Sequence, residues 1–216
     1  MWTFLFADLA GFTALTETHG DEDAISVVTR FYDLARTSLV SEVRLVKTIG
    51  DAVMLITEQA PAAVLTALKI VASVRAESGF PAVRVGLHSG PAIERAGDYF
   101  GATVNLAARI TAYARSEQIL CTEVVAESVR SLKFMSIRSA GIVNFKNVSE
   151  PTALFQIMEL LQDTTRQEID PVCRMRIDPD TAPARLPFQT DLYHFCSFAC
   201  AQKFAQTPEA YIGNNR

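Results

Sequence analysis

Val46-Lys47-Thr48-Ile49-Gly50-Asp51-Ala52-Val53-Met54 is the stretch around which the rest of the chain is read. Gly50-Asp51 is a two-residue turn pair, Ala52 to Ile56 runs apolar, and Val43, Leu45 and Lys47 share one strand face by the two-residue period. The spacing predicts a β-hairpin with a carboxylate at its tip. Its strands are too apolar for a solvated edge, which places Asp51 on a buried sheet. A Gly-Asp pair can also serve a turn and nothing more, so a functional reading of Asp51 needs a second, matching carboxylate.

Trp2 to Ala7 is apolar on both faces, as a central strand of a covered sheet would be, and it ends in Asp8-Leu9-Ala10-Gly11-Phe12-Thr13. A carboxylate at the end of a buried strand costs on the order of several kcal/mol unless it is paired or holds a cation. Asp8 sits at such a place, where a buried strand ends.

Helical spacing of Ile25, Val28, Phe31, Tyr32 and Ala35 predicts a helix over roughly Asp23 to Leu39, and another follows over Ala60 to Glu77, ended by Gly79 and Pro81. Val83 to His88 reads as a strand, Asp98-Tyr99-Phe100-Gly101 as a turn or strand end, and Thr103 to Ala114 as a helix. Asn105 and Arg109 are four apart and share a face of that helix, a pattern that by itself more often marks a solvated face. A strand over Ile119 to Thr122, a helix over Glu123 to Ser131, and strands over Phe134 to Val143 and Thr152 to Met158 complete the series. The order predicts an α+β sandwich, with helices packed on a mostly antiparallel sheet.

At 216 residues, 49% apolar and 20% charged, the chain suits one core-forming domain with a small appendage. A net charge of -4 with no basic run argues against nucleic acid or an anionic membrane as a partner. The apolar start, Met1 to Ala7, is interrupted by Asp8 and falls short of a spanning helix, so the expected location is cytoplasmic. Of four cysteines, Cys173, Cys196 and Cys200 cluster near the end of the chain, which suggests a local metal or thiol site. Cys121 stands alone and is expected in the core.

Phe4 to Thr13, Lys47-Thr48-Ile49-Gly50-Asp51, Val85-Gly86-Leu87-His88-Ser89-Gly90 and Val104-Asn105-Leu106-Ala107-Ala108-Arg109 together resemble, in family order, the class III nucleotidyl cyclase catalytic domain over about residues 1–158. The resemblance implies a ferredoxin-like core and a homodimer with two composite active sites. It implies that Asp8 and Asp51 hold two Mg²⁺ or Mn²⁺ ions per site, and that the backbone of Gly11, Phe12 and Thr13 meets phosphate oxygens. Lys47 and Asp98 match the base-selecting pair: lysine donates to adenine N1 and aspartate accepts from the N6 amine, which implies ATP. Asn105 and Arg109 match the pair that orients the ribose and bears on the phosphate charge. Lys146 matches a triphosphate-binding lysine, although Asn147 stands where the family often has glycine. In the implied dimer, Asp8 and Asp51 of one protomer meet Lys47, Asp98, Asn105 and Arg109 of the other. The implied activity is adenylate cyclisation; a guanylate cyclase and an inactive, metal-sensing scaffold are the alternatives.

After a polar linker over 159–169, residues 170–212 resemble a YHS domain through Asp170-Pro171-Val172-Cys173, Tyr193-His194-Phe195-Cys196-Ser197, Cys200, Phe204, Pro208 and Tyr211. Here Arg174 stands where that family often has glycine. Such modules are associated with metal, and Cys173, Cys196 and Cys200 with His194 as fourth ligand suit Zn²⁺ or Cu⁺. A module this small also calls for a metal or for docking onto its neighbour. The alternative is a small apolar module with inert buried cysteines.

Overall fold

The computed structural model describes residues 1–160 and 167–212. In chain order, β1 (Trp2–Leu9) is followed by α1 (Phe12–His19), α2 (Asp21–Thr37), the hairpin β2 (Arg44–Ile49) and β3 (Ala52–Thr57), α3 (Ala60–Ala76) and β4 (Val83–Gly90). A small hairpin, β5 (Ile93–Arg95) and β6 (Asp98–Phe100), leads to α4 (Ala102–Tyr113), β7 (Ile119–Thr122), α5 (Glu123–Val129), β8 (Met135–Val143) and β9 (Thr152–Glu159). The C-terminal module contains β10 (Glu168–Ile169), β11 (Arg176–Ile177), β12 (Ala184–Phe188), β13 (Asp191–Phe195), α6 (Phe198–Gln206) and α7 (Pro208–Ile212).

The expected α+β sandwich holds. Its seven-stranded sheet runs β2-β3-β1-β4-β7-β9-β8, antiparallel throughout except where β4 pairs with β7. The two-residue period of β1 divides the core. Leu5, Ala7 and Leu9 face α2, α3 and α5 in the large cluster, whereas Phe4 and Phe6 face Tyr99 of β6 and Ala107 of α4. Gly86 admits α4 to this second face, since a Cβ there would lie 2.4 Å from the Thr111 backbone nitrogen. One layer of three helices and one lone helix thus sandwich the sheet.

The opening hairpin forms, with two corrections. β2 is an edge strand of the sheet and is largely exposed, although its partner β3 is buried almost throughout. Charged Arg44 and Lys47 on that edge discourage pairing with another chain. Second, Leu45 and Lys47 do not share a face. A bulge at Val46 pairs Leu45 with Leu55 but Lys47 with Met54, whose side chains lie on opposite faces of the sheet. The extra residue turns Lys47 onto the α4 side.

Of the linker over 159–169, residues 161–166 lie outside the described residues, while Glu159 ends β9 and Glu168 and Ile169 form β10. The module packs on the main domain. Leu15 of α1 and Ala24 of α2 share a core cluster with Val172, Phe195 and Phe204. Backbone bonds join Ala82 N–H to Arg174 O at 3.2 Å and Arg176 N–H to Phe80 O at 3.1 Å. Arg176, 4% exposed, reaches into the main domain, donating to Glu117 at 3.0 Å and to the Val74 carbonyl.

Candidate functional site

Asp8 closes β1 on the α4 side, and its cross-strand neighbours are Ala52 and Arg84. The β2–β3 turn brings Asp51 beside it: Gly50 takes a φ of 58° at the first turn position, the Tyr32 hydroxyl donates to its carbonyl, and Leu9 N–H donates to Asp51 O at 3.2 Å. The two carboxylates that the sequence singles out are therefore together. Burial pushes the Asp8 carboxyl up to about 6; the Arg84 guanidinium opposes that shift and the Asp51 carboxylate adds to it. Two carboxylates held side by side, one of them largely buried, suit a hard divalent cation, whose charge relieves both repulsion and desolvation.

Arg84 was not singled out by the sequence. Its Nε donates to Asp8 Oδ2 at 2.8 Å and its Nη2 lies 2.6 Å from the same oxygen. One arginine in an apolar strand gives no hint of its partner until the β1–β4 register is known.

Lys47 Nζ donates to Asp98 Oδ2 at 2.5 Å, and Asp98 Oδ1 accepts from Tyr99 N–H at 2.8 Å. These bonds, that from Lys47 foremost, hold Asp98 below the usual carboxylate range. Arg44, on the same face as Lys47, donates to the Tyr99 hydroxyl at 2.9 Å, so β2 and β6 are tied by two basic side chains. Asn105 and Arg109 lie one turn apart on α4, the first exposed and the second half-buried. Gly11 caps α1 in the left-handed conformation, and no side chain caps the amides of Phe12 and Thr13 at this helix start. Lys146 is exposed in the β8–β9 connection, and Asn147 beside it takes a φ of 60°, the left-handed conformation in which asparagine replaces glycine most readily.

In the module, Cys173, Cys196 and Cys200 converge as expected, but His194 is not with them. It sits on β13 opposite Arg185, and its Nδ1 lies 2.6 Å from Glu168 Oε2. The fourth member of the cluster is His19, the last residue of α1 in the main domain. Its Nε2 is 3.5 Å from Cys196 Sγ and 4.0 Å from Cys200 Sγ. His194, the histidine that the resemblance to a YHS domain offers as fourth ligand, is thus replaced in the cluster by a histidine from outside the module. All four cysteines are free, and hydrogen bonds from Cys173 and Cys196 favour the thiolate at Cys200. Buried Asp170 accepts from the N–H groups of Val172, Cys173 and Cys196 at 2.8, 3.3 and 2.8 Å, fixing the two cysteine-bearing segments relative to one another. Arg174 takes a φ of 63°, so this departure from glycine also falls at a left-handed residue. Cys121 is buried within β7, and burial pushes its thiol up to about 12.

Residues 2–159 match the model of the adenylate and guanylate cyclase catalytic domain, and residues 169–215 match that of the YHS domain. A pH-sensitive adenylate cyclase of Mycobacterium tuberculosis is 42% identical over 127 residues, which is 59% of this chain and 32% of that protein. This chain thus spans about a third of the length of the curated cyclases it matches. A copper-transporting P-type ATPase of Rhizobium leguminosarum bv. viciae is 44% identical over 43 residues, 20% of this chain and 5% of that protein. Among solved structures, the catalytic core of a rhodopsin-guanylyl cyclase with converted specificity, in complex with ATPαS, superposes with a TM-score of 0.67 at 21% identity, covering 73% of this chain and 94% of that one. Among the described residues no helix is long and apolar enough to cross a membrane. The chain belongs to the adenylate and guanylate cyclase catalytic domain family, with a YHS domain following the cyclase domain.

Proposed function

We propose that the chain is an adenylate cyclase that converts ATP to 3′,5′-cyclic AMP and pyrophosphate at the interface of a homodimer. The observation that carries this reading is the Lys47–Asp98 pair, held at 2.5 Å on the same sheet face as Asp8. A lysine donor and an aspartate acceptor side by side complement the N1 acceptor and N6 donor of adenine. Guanine, with the opposite pattern, would set its N1–H donor against the lysine donor and its O6 acceptor against the carboxylate, a mismatch that discriminates strongly.

Asp8 and Asp51 are the residues that would hold two Mg²⁺ or Mn²⁺ ions. Bound there, divalent cations supply charge neutralisation of the triphosphate and acidify the ribose hydroxyl. Asn105 orients the ribose and Arg109 bears on the phosphate charge, while the amides after Gly11 meet phosphate oxygens. The ribose 3′-oxygen forms a bond to the α-phosphorus as its proton passes to solvent. The bond from the α-phosphorus to the bridging oxygen breaks, and pyrophosphate leaves with those electrons.

Ile49 at the hairpin tip and Phe100 beside Asp98 are 47% and 50% exposed, which supports a partner surface at these sites. In the dimer each hairpin serves both sites, giving Asp51 to one and Lys47 to the other. The thiol cluster supports a regulatory part for the module. The test is product formation by purified protein with Mg²⁺ or Mn²⁺: cyclic AMP from ATP is expected, in excess over cyclic GMP from GTP. No cyclic product from a folded dimer would leave the scaffold reading in its place, and preferential cyclic GMP would leave the guanylate cyclase.

A further inference from the structure

The cluster of His19, Cys173, Cys196 and Cys200 joins two domains. Its nitrogen comes from the end of α1, and its sulfurs come from the turn before β11 and from the β13–α6 segment. We propose that these four side chains form a tetrahedral Zn²⁺ site that clamps the C-terminal module onto the helix following Asp8, so that occupancy of the site sets the position of the phosphate-facing loop.

The geometry suits the ion. With zinc–sulfur bonds of about 2.3 Å and a zinc–nitrogen bond of about 2.0 Å, tetrahedral ligands stand about 3.5–3.8 Å apart. The separations are 3.3 Å between Cys173 and Cys196, 3.7 Å between Cys196 and Cys200, 3.5 Å from Cys196 to His19 and 4.0 Å from Cys200 to His19. All four ligand atoms lie within 4.8 Å of one another. The sulfurs are too far apart for disulfides, which need about 2.05 Å. Three soft thiolates and one imidazole form a closed structural set, unlike the hard carboxylates of Asp8 and Asp51. The surroundings are also built for ligation: Asp170 holds the Cys173 and Cys196 amides, and Ser197 Oγ accepts from Cys200 N–H at 3.2 Å.

Position links the cluster to the catalytic loop. Only Leu9, Ala10 and Gly11 separate Asp8 from α1, and His19 ends that helix. From the other side, Cys173 is followed by Arg174, whose side chain lies against Gly11; a Cβ on Gly11 would stand 2.5 Å from Arg174 Cγ. Arg174 and Tyr211 of the module, with Gly11 and Arg84 of the main domain, line a cleft of about 260 Å³ beside the loop. A cation that draws Cys173 and His19 together therefore presses both ends of α1 against the module. Coupling to turnover rests on the cyclase reading, but the metal site does not.

The test uses the full chain, purified and then stripped and reloaded with Zn²⁺. Elemental analysis should give about one zinc per chain, and X-ray absorption should show three sulfurs and one nitrogen around it. His19→Ala should weaken zinc in chelator competition by more than about tenfold, Cys196→Ser should abolish stoichiometric zinc, and His194→Ala should leave affinity unchanged. Hydrogen exchange of residues 9–20 should slow on zinc loading of the wild type and not of His19→Ala. If His19→Ala keeps full affinity, if absorption finds sulfur ligands alone as a three-thiolate Cu⁺ site would show, or if the protein holds a disulfide and no zinc, the proposal is overturned. Zinc retained through His19 without any change in exchange at residues 9–20 overturns the clamp. All these readouts stand whether or not the protein makes cyclic AMP.

Discussion

Arg84 lies 2.6 Å from Asp8, across one rung of the β1–β4 ladder, so a guanidinium occupies the carboxylate that family resemblance gives to a catalytic cation. The side chains are 26% and 15% exposed, which places the pair between a surface and a buried ion pair. A cation binding at Asp8 must compete with it. Arg84→Met is therefore expected to tighten Mn²⁺ binding about two- to fivefold, on the scale of about 0.5–1 kcal/mol for a partly screened pair; paramagnetic resonance of free Mn²⁺ measures this directly. Unchanged or weaker Mn²⁺ binding in the folded variant contradicts the competition.

Protons compete for the same oxygen. With the Asp8 carboxyl raised to about 6, chiefly by burial, its neutral form is populated in cation-free protein at mildly acidic pH. A raised carboxyl favours folding most below its unfolded value of 3.8, and that contribution is lost as pH rises through about 6. A bound cation restores stability above that point. Mn²⁺ affinity should thus fall up to about tenfold per pH unit below 6 and level off above about 7, and the Mn²⁺-induced rise in melting temperature should follow the same curve. An affinity independent of pH between 5 and 7 is the contrary result.

The base choice can be inverted. Replacing the donor–acceptor pair by Lys47→Glu with Asp98→Cys should move the ratio of cyclic GMP to cyclic AMP formation upward by at least about tenfold, since guanine N1–H then finds an acceptor. Retained preference for ATP in an active double variant breaks the link between this pair and the base.

One hairpin serving two sites predicts complementation. Asp51→Ala and Lys47→Ala chains should each be inactive alone, and co-expressed chains should recover about a quarter of wild-type activity, because half the dimers are mixed and each has one intact site. Heterodimers that form, as mass spectrometry of differently tagged chains would show, yet stay inactive would remove the composite-site arrangement.

Module docking has a separate handle in Arg176. Arg176→Ala deletes a 4% exposed guanidinium that satisfies the Val74 carbonyl and pairs with Glu117, whose other cationic neighbour, Arg75, is 3.7 Å away. A loss of about 1–3 kcal/mol in unfolding free energy is expected, less than for a pair that strands its partner. Denaturant titration gives the magnitude, and earlier proteolytic release of the module would show where the loss falls.

Pattern alone carried the sheet and the helices. The apolar runs of Trp2–Ala7 and Ala52–Ile56, the helical spacing of Ile25 to Ala35, and the Gly50-Asp51 turn all encode local structure through a period or a backbone preference, and each element formed within a few residues of its expected bounds. The eight residues of α1, which carries His19, hold too little periodicity to stand out in the sequence. The bulge at Val46 has no composition of its own, yet it decides that Lys47 meets Asp98 and not the core on the other face.

What the sequence carried by itself was the set of candidates: the carboxylates at Asp8 and Asp51 by their positions, the Lys47 and Asp98 pair through family resemblance, and the three cysteines by their clustering. What only the tertiary structure decided was who stands beside whom. Arg84 reaches Asp8 across 76 residues, and His19 reaches Cys196 across 177. Local periodicity cannot encode such contacts, because they arise from strand register and from the docking of one domain on another, where burial and charge select among residues the chain sequence keeps far apart.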